Sequence, residues 1–550
     1  MPAASKSPLN TPQLGAREVF ERVREAWGES PFYQAGLRGP APDRLYFQPI
    51  DPFTPDKEVA EAFARGKIAL GEETLDCEGD ISAVWEHGSG DGPVCAFLQE
   101  FSWLRHLEAL GDEGKSAARS LVQAWLERFE KWSAMAWDPY FTAERLVQMT
   151  CHAPLLLADA DPLWRSRVLT AMARQTRHLA RAAHRAPTGF DRLMTALGLT
   201  VAGYCLPGCE APAERGLEMT RRELRLQLRP DGGHVSRNPS RQLMLAVRLQ
   251  MAASALEGRG FPPPGFLRHA LMRVNALASF FRCADGRLAV FNGGYEDDPR
   301  AVLSVQKAIS GDAIPTEFAR HSGYHRISAG RALLIVDTIT DTAKSAFESA
   351  GSLHFSSGRS RIFANCGNGG HRAAAWRDAL RARAAHCALS LETKSGGDIA
   401  FGDMSHKRAE DAKGQLLEVE RQLFTKDGAE GVYRRRLYLG VSGADLRGEE
   451  LVVGNAAQSL EEAIWRFHLH PSVRASLARD RRSVILLLPN KEGWRFKSSC
   501  EPLELERSVY CGAGGMPIST EQIVVRAAPS AADGQHAAAA KWALRRLDPV

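Results

Sequence analysis

The spacing of apolar residues changes once along this 550-residue chain, near residue 315, and that change limits the folds open to it. From about residue 97 to residue 310, apolar residues recur three and four positions apart, as in AFLQEFSWLRHLEAL, which is the spacing of amphipathic helices. After residue 315, short β-branched and aromatic runs such as RALLIVDT and VYRRRLYLGV alternate with polar residues and turn signals. The pattern predicts a helical N-terminal part followed by an antiparallel β part.

The chain is longer than one hydrophobic core usually serves, so we expect more than one domain. Short loops rich in Gly, Pro or Asp separate the helical segments, which favours antiparallel neighbours arranged as an incomplete α/α toroid. The strand pattern favours a two-sheet antiparallel sandwich. The predicted organisation is an irregular lead-in with short helices over residues 1–94, a helical toroid over 95–318, a β-sandwich over 319–530, and a tail over 531–550 that ends in a short amphipathic helix.

Composition and charge exclude several classes of protein. Hydrophobic residues make up 44% and charged residues 25% of the chain, which is typical of a folded protein. The net charge of +5 is too mild to indicate nucleic acid as a partner. No stretch reaches the ~18 apolar residues of a membrane span. The segment MPAASKSPLNTPQLGAREVF lacks the apolar stretch of a signal peptide, so we expect a cytoplasmic protein, with the cell envelope or periplasm as the alternative.

Motifs for metal binding and for several enzyme classes are missing from the sequence. Cys205 and Cys209 flank a Pro-Gly turn but have no second pair at zinc spacing. His468 and His470 alternate along a predicted strand without a third ligand, so a surface or cleft-lining role is favoured over a metal site. GxSxG, GxxxxGK[ST] and HExxH do not occur, so nothing supports a serine hydrolase, a nucleotide-binding protein or a zinc protease. We therefore expect no metal and no cofactor.

Several strings resemble, in their order along the chain, segments of the heparinase II/III polysaccharide lyases. FSWLRHL and LVQAWLERFEKW resemble early toroid helices, and PDGGHVSRNP resembles the loop before the helix that carries a catalytic tyrosine. DGRLAVFNGG resembles the turn that closes the toroid, and SGYHRISAGRALLIVD resembles the first sandwich strand. RSRIFANCG and GVYRRRLYLGVSGADLRGEE resemble sandwich hairpins. The resemblance covers roughly residues 95–525 and implies a toroid plus β-sandwich that acts on uronate-containing glycan by β-elimination.

The residues that elimination needs can be carried over from this resemblance. The reaction requires a group that neutralises the uronate carboxylate, a base for the weakly acidic C5 proton, and an acid for the leaving oxygen. In the family these come from an Asn-His pair, a tyrosine at a helix start, and a histidine in a sandwich strand. The matching positions here are Asp191-Arg192, then Arg241 followed by Gln242, and then Ser349 with His354 close by. All three catalytic positions are therefore substituted.

The loop before the helix at residue 239 still carries a basic and polar set that is able to hold an acidic sugar. His234, Ser236, Arg237, Asn238 and Arg241 lie within eight residues. Arginine pairs bidentately with carboxylate or sulfate, and a helix N-terminus favours anions. The other interpretation is a solvated loop in which Ser236 or Asn238 caps the helix.

Two further features complete the candidate site. Tyr295, in FNGGYEDD, is the nearest tyrosine that could replace the missing acid or base, although a turn tyrosine packed on the sandwich is the favoured interpretation. Arg434, Arg435 and Arg436 form a basic run for which a solvated strand end is favoured. The site hypothesis assigns catalysis to Tyr295 and His234, and glycan binding to Arg192, Arg237, Asn238 and Arg241. Of these residues, we expect all except Arg237 to face one groove between toroid and sandwich.

Two functions stay open at this point. One is a polysaccharide lyase that cleaves uronate-containing acidic glycan by β-elimination, and the other is a non-catalytic relative that binds glycan or assists envelope polysaccharide production. Arg241 cannot take a proton, and Ser349 is too weak a base without a partner. We therefore expect binding of acidic polysaccharide or oligosaccharide with poor or no cleavage, and no nucleic acid partner. The sequence does not indicate an oligomeric state.

Overall fold

A computed structural model describes residues 27–28, 30–87, 92–308, 316–339, 347–370, 374–514, 516–532 and 535–548. Helices dominate the chain up to residue 307, and antiparallel strands dominate it from residue 318 onward. This confirms the prediction of a helical part followed by an antiparallel β part. Residues 1–26 of the predicted lead-in lie outside the described residues.

The helical part begins with short elements and continues with longer helices. The hairpin of β1 (Lys67–Leu70) and β2 (Glu73–Asp76) lies among the short elements. The helices are α1 Pro31–Gly36, α2 Lys57–Ala64, α3 Val84–His87, α4 Pro93–Gln99, α5 Trp103–Leu107, α6 Asp112–Phe129, α7 Pro139–Cys151, α8 Ala153–Leu157, α9 Pro162–Ala182, α10 Phe190–Cys205, α11 Glu210–Gln227, α12 Pro239–Gly258, α13 Gly265–Phe280 and α14 Pro299–Lys307.

Four of the helices begin with the same local chemistry, an acidic or amide side chain followed directly by proline. Asp138, Asp161, Asn238 and Asp298 each accept hydrogen bonds from backbone N–H groups of the first helical turn. The next residue is proline, whose fixed φ suits the first helical position and whose missing N–H costs nothing there. The dipeptides Asp-Pro and Asn-Pro therefore fix where these helices start.

The β part consists of three antiparallel sheets. Two short helices, α15 (Ala374–Arg381) and α16 (Asn455–Gln458), interrupt it. The strands are β3 Phe318–Ala319, β4 Tyr324–Ala329, β5 Ala332–Asp337, β6 Leu353–Ser357, β7 Ser360–Phe363, β8 Leu389–Thr393, β9 Ala400–Asp411, β10 Gly414–Phe424, β11 Glu430–Gly440, β12 Asp445–Gly454, β13 Leu460–His468, β14 Arg474–Leu477, β15 Ser483–Leu487, β16 Gly493–Ser498, β17 Glu504–Tyr510, β18 Ile518–Ala527, β19 Ser530–Ala532 and β20 Gln535–Arg546.

The sheets pack as two layers. A nine-stranded sheet has the order β14-β15-β16-β20-β12-β11-β10-β9, with β19 paired to β20, and it faces a four-stranded sheet (β17-β18-β13-β8) and a five-stranded sheet (β3-β4-β5-β6-β7). Phe467 of β13 packs edge-on against Trp542 of β20, with ring centroids 4.8 Å apart. Phe355 of β6 meets Trp494 of β16 in the same way at 5.8 Å. Aromatic contacts of this kind add to the apolar burial that holds the layers together.

Strand β5 lies between the helical domain and the sandwich, and all six of its residues are buried. Leu333 and Ile335 belong to the core formed with the later helices, whereas Leu334 and Val336 belong to the sandwich core. Because successive side chains of a strand point to opposite faces, an uninterrupted apolar run is required here. The run ALLIVD thus joins two hydrophobic cores.

The predicted terminal helix is wrong, because residues 535–546 form strand β20 inside the nine-stranded sheet. This strand pairs with β12 on one side and β16 on the other. Ala538, Ala540, Trp542 and Leu544 are buried at every second position. Alanine favours helix in isolation, but the two neighbouring strands satisfy the backbone of this segment and its period of two matches the sheet.

The interpretation of residues 434–436 as a solvated strand end is also wrong. The three arginines lie in the middle of β11 and pair across strands, Arg434 with Glu420 and Arg436 with Glu418. Arg435 is fully buried and lies 2.9 Å from Glu450. A buried arginine needs this pairing because an isolated charge in the core is strongly unfavourable.

Candidate functional site

A pocket of about 320 Å³ opens in the helical domain, where α7, α10 and α12 meet the loop of residues 291–298. Every lining residue precedes residue 298, so the pocket lies within the helical domain. The sequence analysis had predicted a groove between the two domains. Four aromatic residues, Phe53, Tyr140, Phe190 and Tyr295, contribute to its wall. Its charged lining residues are Asp51, Glu100, Arg105, Glu144, Arg241, Arg248 and Asp297.

The start of α12 and the loop 291–298 form one wall of this pocket. Asn238 Oδ1 accepts hydrogen bonds from the N–H groups of Ser240 (2.9 Å) and Arg241 (3.1 Å), and its Nδ2 donates to the carbonyl of Asn292 (3.0 Å). Asn238 is therefore the helix cap, as one of the two sequence interpretations stated, and its polar atoms are engaged within the protein. These contacts do not support its assignment to glycan binding, which stays a prediction.

Arg241 projects from the first turn of α12 and lines the pocket. Its guanidinium lies 5.2 Å from the ring centroid of Phe190. Among the described residues, no carboxylate lies within ion-pair distance of Arg241, and its side chain is exposed. The next residue, Gln242, points the other way and holds the loop 232–234 through its side-chain amide. Arg241 thus presents a cation to the pocket without a direct ion pair, and Asp191 is the carboxylate near enough to feel its charge.

Tyr295 also lines the pocket, and its backbone N–H donates to Ser240 Oγ at 2.7 Å. Burial, followed by the nearby Cys511 and Asp297, raises the pKa of the Tyr295 phenol to about 12. A phenol with this pKa keeps its proton at neutral pH. Tyr295 is therefore suited to donate a proton and poorly suited to accept one.

His234 is buried next to the pocket wall and is not one of the lining residues. Its Nδ1 accepts from the backbone N–H of Ser236, which leaves the ring proton on Nε2, 2.9 Å from Gln227 Oε1. Burial and then the charge of Arg241 lower the pKa of His234 to about 3. Both ring nitrogens are occupied, so the assignment of His234 to catalysis does not agree with its position.

Arg192 and Arg237 are engaged within the protein as well. The Arg192 guanidinium donates twice to the carbonyl of Ala186, at 3.0 and 2.8 Å, and it does not line the pocket. Arg237 is buried in an ion pair with Asp337 of β5. The structure therefore places Arg241 and Tyr295 in one pocket, whereas Arg192, His234 and Asn238, which were expected to converge with them, are not among its lining residues. The roles of Arg241 and Tyr295 stay predictions.

Ser349, at the position that the resemblance marks for the sandwich histidine, and His354 close by are both buried outside the pocket lining. Ser349 Oγ lies 2.8 Å from Asn292 Oδ1 and 2.9 Å from Asp337 Oδ2. His354 is fully buried beside Cys283, with 3.4 Å between Nε2 and Sγ. No histidine is among the described residues that line the pocket.

His468 and His470 do not share a metal site. His468 is buried, and its ring nitrogens lie 2.8 Å from Ser508 Oγ and 2.8 Å from the carbonyl of Ala384. His470 lies beyond the end of β13 and its Nε2 is 2.9 Å from Glu296 Oε1. In the part of the chain that the structure describes, no group of three His, Cys, Asp or Glu side chains is arranged to hold a metal ion. No helix in that part is long and apolar enough to cross a membrane.

The sequence reasoning missed the carboxylates of the pocket. Burial and the negative charge of Glu144 raise the pKa of Glu100 to about 8, and burial raises the pKa of Asp297 to about 7. Glu144 pairs with Arg248 at 2.6 Å. The available signal was a charged residue on the apolar face of a helix pattern, in AERLVQM for Glu144 and in LMLAVRLQM for Arg248.

Comparison with known proteins supports the fold on independent grounds. Residues 313–542 match the family model of the heparinase II/III-like C-terminal domain. The crystal structure of heparinase III superposes with a TM-score of 0.69 at 14% identity, covering 99% of this chain and 93% of that one. The heparan sulfate lyase HepC mutant from Pedobacter heparinus gives 0.60 at 13% identity, covering 94% and 88%. Residues 313–542 are thus similar to the heparinase II/III-like C-terminal domain, and the overall fold is that of heparinase III.

A second similarity, to a protein with a name, extends over most of the chain. FtsZ-localized protein C of Caulobacter vibrioides (strain NA1000 / CB15N) is 27% identical over 528 residues, and the match covers 90% of each protein. The similarity extends through both the helical and the β parts. Its name refers to localisation with FtsZ and not to cleavage of a polysaccharide.

Proposed function

We propose that this polysaccharide-lyase-like protein binds uronate-containing acidic glycan through the pocket at the start of α12, and that it cleaves such glycan poorly or not at all. The observation that carries the proposal is the position of Arg241, an exposed guanidinium in a pocket walled by aromatic rings. A guanidinium binds a carboxylate through two parallel hydrogen bonds, and aromatic rings pack against the C–H faces of sugars. The heparinase III fold supports glycan as the ligand class.

The expected loss of elimination follows from the residue at the position of the family's catalytic tyrosine and from the state of the tyrosines and the histidine near the pocket. The base must remove the C5 proton of the uronate, and arginine is protonated at any working pH. Burial raises the pKa values of both pocket tyrosines, Tyr140 and Tyr295, so that neither is a phenolate at neutral pH. His234 lies behind the wall with both nitrogens bonded. An active lyase remains the competing proposal, with Tyr295 as acid and a rearranged His234 as base.

Binding is tested with tetragalacturonate as the probe. We expect measurable binding by isothermal titration calorimetry, and a loss of about tenfold or more in Arg241→Gln, because a charge-assisted hydrogen bond contributes ~1.5–3 kcal/mol. Arg225→Gln, on the exposed face of α11 and outside the pocket lining, is the matched control and should bind as the wild type does. Equal affinities in the two variants, or no binding by the wild type, contradict the proposal.

Elimination leaves a conjugated 4,5-unsaturated uronate that absorbs in the ultraviolet. We expect no rise in absorbance above the buffer rate when the wild-type protein is incubated with a panel of uronate polymers. Robust product formation supports the lyase instead. In that case Tyr295→Phe should abolish it, and activity that persists in this variant removes Tyr295 from the mechanism.

A second candidate function is favoured by the relative that matches over 90% of this chain. We propose that the protein acts as an accessory of envelope polysaccharide production at sites where FtsZ assembles, from the cytoplasmic side. A fluorescent fusion examined together with labelled FtsZ tests this. Diffuse fluorescence in dividing cells speaks against it, and localisation that survives Arg241→Gln separates this role from glycan binding.

A further inference from the structure

The floor of the pocket is formed by three polar side chains from two helices. Glu144 and Gln148 lie one turn apart on the same face of α7, and Arg248 of α12 lies opposite, 2.6 Å from Glu144 Oε2. All three line the pocket and are nearly enclosed, with 9%, 6% and 3% of their surfaces exposed. They are therefore fixed by packing and by the ion pair before any ligand arrives.

Each of these side chains keeps buried polar atoms that no described residue satisfies. Glu144 Oε1 and Gln148 Oε1 are acceptors without a donor, and Arg248 Nε and Nη1 are donors without an acceptor. Buried polar atoms of native proteins are nearly always hydrogen-bonded, since leaving them without partners is costly. Four such atoms together at the floor of one pocket indicate a polar ligand.

The alternation of donors and acceptors restricts the chemistry of that ligand. A hydroxyl group donates and accepts at once, so neighbouring hydroxyls of a sugar satisfy the oxygens of Glu144 and Gln148 together with the N–H groups of Arg248. A sulfate or carboxylate satisfies Arg248 alone and is repelled by Glu144. An ammonium group satisfies the two oxygens and is repelled by Arg248.

We propose that the pocket floor, made of Glu144, Gln148 and Arg248, is a subsite for the hydroxyls of an uncharged sugar and rejects sulfated sugar. The aromatic wall of Phe53 and Tyr140 offers packing for the ring. This rests on the proposed function only in taking a glycan as the ligand. It differs from the acidic-sugar contact of Arg241, which lies on the exposed first turn of α12.

The test compares three probes by titration calorimetry: tetra-N-acetylchitotetraose, its 6-O-sulfated form, and tetragalacturonate. The uncharged tetramer should bind, and the sulfated tetramer should bind at least about tenfold more weakly, which corresponds to ~1.4 kcal/mol. Gln148→Met keeps the length of the side chain and removes its acceptor, so the affinity for the uncharged tetramer should fall about fivefold or more.

The control for Gln148→Met is Gln123→Met, which changes an exposed glutamine of α6 outside this pocket. No binding of the uncharged tetramer, equal binding of its sulfated form, or an unchanged affinity in Gln148→Met overturns the subsite. If Gln148→Met does not fold, the order of the three probes on the wild-type protein decides alone. Tetragalacturonate that binds through Arg241 while the uncharged tetramer does not bind rejects this subsite only. If the uncharged tetramer binds and tetragalacturonate does not, only the acidic-glycan proposal is rejected.

Discussion

Arg237 and Asp337 form a buried ion pair that joins the loop before α12 to the end of β5, and so connects the helical domain to the β domain. Arg237 Nε also donates to the carbonyl of Ser322 at 2.9 Å. The backbone of Arg237 has a φ of 55°, which non-glycine residues rarely adopt. The ion pair thus holds a strained loop at the junction of two hydrophobic cores.

Removal of one partner should destabilise the protein strongly. Asp337→Asn leaves the Arg237 charge buried without its counter-charge, and we expect the free energy of unfolding to fall by about 3–5 kcal/mol. Urea and thermal unfolding followed by circular dichroism measure the change. Arg331→Met removes an exposed partner of Glu492 and serves as control, with an expected loss under about 1 kcal/mol. If both variants lose a similar free energy of unfolding, the buried ion pair does not contribute more than an exposed one, and the prediction is wrong.

Glu296 should make the domain junction sensitive to acid. Burial favours its neutral form, but hydrogen bonds from His470 and Tyr510 and the charge of Arg361 outweigh burial and lower the pKa of Glu296 to about 2. A carboxyl with a depressed folded pKa stabilises the protein above its unfolded pKa, and this stabilisation is lost as the pH falls through the folded value.

The loss should therefore occur between about pH 4.5 and pH 2. Glu296→Gln should lower the thermal midpoint at pH 7, and the difference from the wild type should shrink toward pH 2. Calorimetric scans across this range measure it, with the exposed Glu461→Gln as control. A difference that is constant across the range counts against the assignment.

Glu100 should make the stability of the protein depend on pH in the opposite direction to Glu296. Burial and the charge of Glu144 raise its pKa to about 8, so the folded protein holds a proton that the unfolded chain releases above about pH 4.5. The group therefore destabilises the protein progressively as the pH rises from 4.5 to 8. Glu100→Gln should raise the thermal midpoint more at pH 8 than at pH 5, whereas Glu113→Gln, exposed on α6, should change it equally at both. A larger gain at pH 5 is the contrary result.

The cap of α12 should affect ligand affinity as well as stability. Asn238→Ala removes the cap and the contact with Asn292, and we expect a loss of about 1 kcal/mol in the free energy of unfolding. Because Arg241 projects from the turn that Asn238 organises, the affinity for tetragalacturonate should fall severalfold. Asp161→Ala removes the equivalent cap of α9 and should cost similar stability without changing affinity. An unchanged affinity in Asn238→Ala separates the cap from the pocket.

Local patterns in the sequence were sufficient for the order of helices and strands. The period of 3.6 predicted the helices, and short β-branched and aromatic runs such as RALLIVDT predicted the strands. The segment AAAAKWALRR was predicted incorrectly, because its pairing with β12 and β16 decides its conformation and neither partner is near in sequence.

The candidate site was predicted only in part, because some of its residues come from segments that are distant in sequence. Arg241 and Tyr295 were found through the loops that carry the family resemblance. Glu100, Glu144 and Arg248 come from three separate segments, and their convergence depends on how α7 packs against α12. His234 is of a residue type that often serves in catalysis. Only its hydrogen bonds to Ser236 and Gln227 show that both ring nitrogens are occupied.

Strand β20 sets an order of events during synthesis. It is the strand through which β14, β15 and β16 join the rest of the nine-stranded sheet. On the ribosome, the facing edges of β12 and β16 therefore stay open, with unpaired backbone groups, until residues 535–546 emerge. Open edges of this kind attract other chains. The helical domain can fold during translation, whereas the sandwich can close only after β20 has emerged and is exposed to misassociation until then.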